Sequence, residues 1–223
     1  MTKSIGILML DTIFHRPVGD IGNPSTFPFP VDYKIVEGAT ISRIVKQDTE
    51  TSVIDPFIEA GKELEKQGAK AIAASCGFLA IYQKEIQQQL HVPFISSSLL
   101  QIPLIHLTAG GPIGVITASK ASLTNKHLEG VDSLGNPLII RGMDDMPAFR
   151  GAIIDEEIPL NQRKVLDEMK QVTSTLIKDF PELRAIVLEC TNMPPYREAI
   201  RQVTSIPIYD MNTLIHYVYH TIE

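Results

Sequence analysis

Three features of the sequence predict an α/β protein of two pseudosymmetric lobes, each with a mainly parallel sheet flanked by helices and with a site between them. Short apolar runs alternate with amphipathic stretches along the chain, the pattern of parallel strands joined by crossover helices. A segment recurs: KAIAASCGFLAIYQKEIQQQLHVPFI (70–95) aligns without a gap on RAIVLECTNMPPYREAIRQVTSIPIY (184–209), at an offset of 114 positions. The only two cysteines, Cys76 and Cys190, occupy the same position of that repeat.

The elements follow in order. SIGILML (4–10) reads as a buried first strand and 34–39 as a second, after a proline- and glycine-rich stretch at 15–33. Asp55 before Pro56 reads as an N-cap with proline at the first helical position, opening a helix that ends before Gly68. A strand at 70–75, a helix at 79–90 and a strand at 93–96 complete the first half. The second half repeats the plan: a strand at 112–118, a helix from about Ser122, a strand at 137–143 and an irregular acidic segment around 144–157. A long amphipathic helix at 161–180, a strand at 184–189, a helix at 195–204, a strand at 206–210 and a closing helix at 212–222 follow. A weaker echo sets Ile5-Gly6 on Ile113-Gly114. The predicted lobes are 1–101 with 206–223, carrying Cys76, and 102–205, carrying Cys190.

Composition narrows the function. With 44% hydrophobic and 21% charged residues the chain is an ordinary globular one. Its formal charge of −6 argues against nucleic-acid binding. No apolar run reaches the roughly 20 residues of a membrane span. The short apolar run at the start meets Asp11 at once and lacks a cleavage site, so a cytoplasmic protein is expected. Two cysteines do not make a disulfide scaffold.

Each cysteine is predicted at the carboxyl end of a parallel strand just before a helix, the edge at which open α/β sheets bind ligands. A pseudo-twofold relation sets the two thiols on opposite walls of one cleft. A helix start favours the thiolate, so both thiols are expected to be partly ionised near neutral pH. One would take a proton from a carbon beside a carboxylate while the other returns one to the opposite face, a reaction that needs no metal and no organic cofactor. Candidate donors to the carboxylate are the backbone of Gly77 and Phe78, with Thr191, Asn192 and Thr117. Ser119 occupies the same strand end, and Asn23, Ser25 and Thr26 belong to the proline-rich loop. Arg43 is a possible cation for a second carboxylate, as is Lys120, while Phe27, Phe29 and Phe78 could line an apolar pocket. His216 and His220 have a zinc-compatible spacing but no third ligand nearby, and the acidic group at 144–157 reads as a solvated loop. No phosphate-binding glycine loop is present.

These motifs resemble those of the aspartate/glutamate/hydantoin racemase superfamily: AASCGFLA (73–80) its first cysteine motif, LECTNMPPY (188–196) its second, and IGVITASKAS (113–122) the strand and loop opening its second lobe. The resemblance implies two lobes with a site between them, no cofactor, often a homodimer, Cys76 and Cys190 as acid/base pair, and Thr191 and Thr117 as substrate-binding residues. Gly77-Phe78 stands where amino-acid racemases of the family place Asn-Thr. Glu189 and Asn192 stand where glutamate racemases place a small residue and a histidine. The expectation is a cofactor-independent isomerase that inverts carbon α of an amino acid, hydantoin or related small carboxylate. The alternatives are one-cysteine decarboxylation or cis–trans isomerisation of a small diacid, and a non-catalytic small-molecule binding protein.

Overall fold

The computed structural model describes residues 3–46 and 53–222. In the first lobe β1 (Ser4–Leu10) is followed by β2 (Val31–Val36), the short α1 (Ile41–Ile44), α2 (Asp55–Gln67) and β3 (Ala69–Ala74). A 3-10 segment (Gly77–Tyr82), α3 (Gln83–Gln87), β4 (Phe94–Ile95), a 3-10 turn (Ser98–Gln101) and α4 (Ile102–Ala109) come next. The second lobe runs through β5 (Ile113–Thr117), α5 (Asn125–Gly130), β6 (Leu138–Gly142) and α6 (Pro147–Phe149), which leads into one π turn (Arg150–Ile154). It continues with α7 (Gln162–Asp179), β7 (Ala185–Leu188), a 3-10 turn (Pro194–Tyr196), α8 (Arg197–Arg201), β8 (Ile208–Tyr209) and α9 (Met211–Thr221).

All strand pairs are parallel, and the two sheets have the same order, β2-β1-β3-β4 and β6-β5-β7-β8. The repeat read in the sequence is therefore a repeat of topology. Every residue of β1, β5 and β7 is buried, as strands covered on both faces require. The echo of Ile5-Gly6 in Ile113-Gly114 has a packing cause. A side chain at Gly6 would come 2.9 Å from Leu64 of α2, and one at Gly114 would come 2.9 Å from Leu176 of α7. The same close approach of helix to sheet is used twice.

Several elements depart from the sequence expectation. β2 starts at Val31 because β1 pairs with it along its length, from Ile5↔Val31 to Leu10↔Val36. Ile54 stands at the cap of α2 and Asp55 already lies in its first turn. The helices expected at 79–90 and 195–204 each begin as 3-10 turns and leave only five α-helical residues. The irregular segment at 144–157 contains α6 and the π turn. Residues 206–210, expected with the first lobe, hydrogen-bond into the second sheet through β8. Only α9 returns, laying Met211 and Ile215 on Ile5, Ile7, Ala71 and Ala73.

Asp210 fixes that return. It is fully buried, caps α9 by accepting from Thr213 N–H at 2.8 Å, and pairs with Arg197 Nη1 at 2.9 Å. Asp210→Ala removes the cap and strands the arginine, so it should cost about 2–4 kcal/mol. Chemical denaturation followed by circular dichroism checks this, and Asp210→Asn should recover part of the loss.

Candidate active site

β3 and β7 end side by side where the lobes meet. The residue that leaves each strand is tied to the central strand of its own sheet. Ser75 N–H donates to Leu8 O at 2.9 Å and Glu189 N–H to Ile116 O at 2.8 Å. Ser75 Oγ also accepts from Leu10 N–H at 2.8 Å. The lobes are stitched together at this level, since Thr191 Oγ1 donates to Ser75 O at 2.5 Å and Ser98 Oγ to Leu188 O at 2.7 Å. One residue further along each strand comes the cysteine.

Cys76 and Cys190 are buried and line the same cavity of about 30 Å³, together with Gly77, Phe78 and Asn192. That volume holds one or two waters, so a substrate enters only as the wall gives. That wall includes Phe14 and Arg16 of the β1–β2 loop and Ile153 and Ile154 of the π turn.

The two thiols have matching surroundings. Burial pushes the Cys76 thiol up to about 12, Glu189 pushes the same way, and the Phe78 N–H and Arg16 oppose them. Burial and then Glu189 push the Cys190 thiol well above its ordinary value, the Asn192 N–H opposes, and Cys76 and Asp20 add to the rise. In both halves the amide two residues after the cysteine faces the sulfur. The expectation of partly ionised thiols is corrected: only a short 3-10 turn follows each cysteine, and burial outweighs it. Both thiols are thereby held toward the protonated form, and Cys190 Sγ donates to Asn192 Oδ1 at 3.3 Å.

Three residues that sequence reasoning did not select complete the site. Asn192 Nδ2 donates to Asp20 Oδ2 at 2.7 Å, and Asp20 is held in turn by Arg16 Nη1 at 2.8 Å and Gly22 N–H at 2.8 Å. Arg16 also donates to Thr12 Oγ1 at 2.8 Å and lies over the Phe14 ring. Glu189, fully buried, accepts at Oε2 from Thr117 Oγ1 at 2.8 Å and weakly from Ala118 N–H at 3.4 Å. Burial raises its carboxyl to about 7 against those hydrogen bonds. The signal for Arg16 and Asp20 was their i, i+4 spacing inside a loop whose prolines and glycines exclude a helix. For Glu189 the signal was a charge in the second cysteine motif.

The other candidates are placed differently. Thr117 and Thr191 stand behind the cavity wall, holding Glu189 and Ser75. Asn23 organises the β1–β2 loop, donating to Arg16 O and accepting from Ser25 N–H. Arg43 donates to Gly38 O on the exposed surface, outside the cavity lining. Phe27 and Phe29 stack on each other and pack against His216 and Tyr219 of α9. Among the described residues no group of three or more His, Cys, Asp or Glu is placed to hold a metal ion, and no helix is long and apolar enough to cross a membrane.

No family model matches the chain. A dimethylsulfoniopropionate lyase of Durusdinium sp. clade D is 31% identical over 215 residues, covering 93% of this chain and 71% of that protein. The chain belongs to the dimethylsulfoniopropionate lyase family. Dimethylsulfoniopropionate lyase 7 of Emiliania huxleyi is 29% identical over 221 residues, covering 94% of this chain and 64% of its own length. Lyase 3 of the same organism is 30% identical over 223 residues, and the chain spans 57% of it. These relatives overturn the expected isomerase: they are lyases, so racemisation or epimerisation of amino acids and hydantoins is withdrawn as the reading of this site. What the racemase-like motifs specify is the fold. The chain superimposes on an aspartate racemase homologue from Pyrococcus horikoshii with a TM-score of 0.58 at 17% identity, covering 97% of this chain and 99% of that one. It superimposes on unliganded arylmalonate decarboxylase with a TM-score of 0.57 at 12% identity, covering 93% and 86%. This chain is thus a member of the lyase family with the fold of the racemase superfamily.

Proposed function

We propose that this chain is a carbon–sulfur lyase that eliminates dimethyl sulfide from dimethylsulfoniopropionate, leaving acrylate. The observation that carries the reading is the 31% identity, over most of the chain, to a lyase of that substrate. The chemistry of a two-thiol cavity is compatible with it, because removal of a proton beside a carboxylate begins an elimination as well as a racemisation. A thiolate of the Cys76–Cys190 pair takes the α proton, the C–H electron pair becomes the C=C bond, and the Cβ–S pair leaves with sulfur as neutral dimethyl sulfide. The net reaction releases one proton to solvent. The second thiol stays protonated and, with the Phe78 and Asn192 amides, faces the carboxylate on which charge accumulates. Arg16, the only arginine or lysine lining the cavity among the described residues, draws the same carboxylate.

The electrostatics make ionisation depend on the substrate. A thiol at about 12 gives almost no thiolate at neutral pH, but an opposite charge within about 4–6 Å favours the ionised form by one to three pH units. The sulfonium supplies that charge on arrival. On this reading the enzyme is a cytoplasmic homodimer. Two unpaired cysteines support the compartment, and the exposed Leu104, Leu107 and Tyr217 support a second copy.

The test is direct. Purified protein given dimethylsulfoniopropionate should release dimethyl sulfide, measured by headspace gas chromatography, with an equal amount of acrylate by proton NMR. Absence of both products, or acrylate without dimethyl sulfide, overturns the reading.

A further inference from the structure

Glu189 stands in the wall of the two-thiol cavity with one carboxyl oxygen unanswered. Thr117 and Ala118 hold Oε2, whereas Oε1 is buried and has no hydrogen-bond partner. Buried polar atoms are rarely left so, because the lost hydration is not replaced. The backbone makes room for it, since any side chain at Gly77 would fall 2.1 Å from Oε1. The cavity's own cation, Arg16, hydrogen-bonds Asp20 and Thr12 rather than Oε1. Arg16 lies over the Phe14 ring, but Phe78 lines the same space, and aromatic rings attract cations that lack protons to donate.

We propose that Glu189 is a specificity-determining residue whose Oε1 meets the positive end of an onium carboxylate held between the two thiols. This rests on the lyase reading above. An onium centre donates no hydrogen bond, so it is matched by charge and ring faces rather than by directed acceptors. An unpartnered carboxylate oxygen in a cavity that Phe78 also lines offers both.

The charge on Glu189 is conditional. Burial holds its carboxyl at about 7, so it is largely neutral below that pH and largely ionised above it. The titratable and charged groups facing it are Cys76 across the cavity, Cys190 next in the chain, and Arg16 with its partner Asp20. The thiols stay protonated through the neutral range and arginine stays charged. Onium binding should therefore strengthen as pH rises through about 7.

Two unreactive ligands of one shape isolate the charge: 3-(trimethylammonio)propionate and its all-carbon isostere 4,4-dimethylpentanoate. By calorimetry the protein should prefer the first by about tenfold or more at pH about 8, and lose most of that preference at pH about 6. Glu189→Gln should abolish the preference while keeping the affinity for 4,4-dimethylpentanoate, which also reports that the variant is folded. Thr117→Val, which removes a hydrogen bond favouring the ionised form, should move the midpoint to higher pH. An onium preference that survives in Glu189→Gln, or that is unchanged between the two pH values, overturns the proposal, as does failure of the wild-type protein to bind either ligand. Dimethyl sulfide release by the wild-type protein is scored separately: release with an unchanged preference sinks the role of Glu189 alone, and no release with a preference that Glu189→Gln abolishes sinks the lyase reading alone.

Discussion

The double variant Cys76→Ser, Cys190→Ser should release dimethyl sulfide at least about 10³-fold more slowly than the wild-type protein, with its circular dichroism unchanged. A positioned general base contributes about 10² to 10⁴ in rate, and a serine hydroxyl cannot be ionised by the means that ionise a thiol. The single variants carry more information than the double. Racemisation needs an acid and a base on opposite faces, so loss of either thiol is fatal. An elimination that expels a neutral leaving group needs one base only. One single variant should therefore be as inactive as the double, and the other should keep within about 10²-fold of wild-type turnover, because it loses only a hydrogen bond to the carboxylate. The inactive variant identifies the base. Equal, complete loss in both would require each sulfur to move a proton. Small effects in both would put the base elsewhere, with Glu189 the first alternative to examine.

That asymmetry is what the sequence could not display. The repeat around Cys76 and Cys190 encodes strand order, the position of each thiol and the amide facing it, and the two sheets carry the same topology. These are properties of backbone geometry, and backbone geometry is what an ungapped repeat conserves within one chain. The reaction is decided by the substrate. Abstraction of an α proton is common to racemisation and elimination, and the outcome depends on whether Cβ carries a leaving group. No motif around the cysteines writes that down.

The parts of the site that escaped notice share a physical cause. Arg16, Asp20 and Glu189 are charged residues, and a buried ion pair looks the same in sequence as a solvated one. Arg16 and Asp20 sit in an irregular loop with no period to betray a buried face, yet Asp20 is almost wholly enclosed and orients Asn192 beside Cys190. Helix α4 escaped for the opposite reason. Its run IPLIHLTA is apolar all round, with Ile102 and Ile105 buried while Leu104 and Leu107 are exposed, so no amphipathic pattern marks it.

Gly77→Ala should disable the protein more thoroughly than its size suggests. The added methyl would lie 2.1 Å from Glu189 Oε1 and 2.5 Å from the Glu189 carbonyl oxygen. The first contact could be relieved by turning a side chain, but the second is with the backbone at the end of β7, which is anchored by Glu189 N–H on Ile116 O. Relief must therefore come from separating the ends of β3 and β7, the two segments that present the cysteines. Overpacking of this kind costs about 1–3 kcal/mol, which lowers Tm by about 2–12 °C in a chain of this length. The larger effect should fall on turnover. A displacement of about 1 Å between a general base and the carbon whose proton it takes can cost about 10²-fold, and the protein should remain folded while losing most of its dimethyl sulfide release. The double variant Gly77→Ala, Glu189→Gly separates the two contacts. It removes the clash with the carboxyl and leaves the clash with the carbonyl, so stability should recover only in part. Full recovery of Tm would place all the strain in the Glu189 side chain, and no loss in the single variant would mean that the two strand ends part without cost.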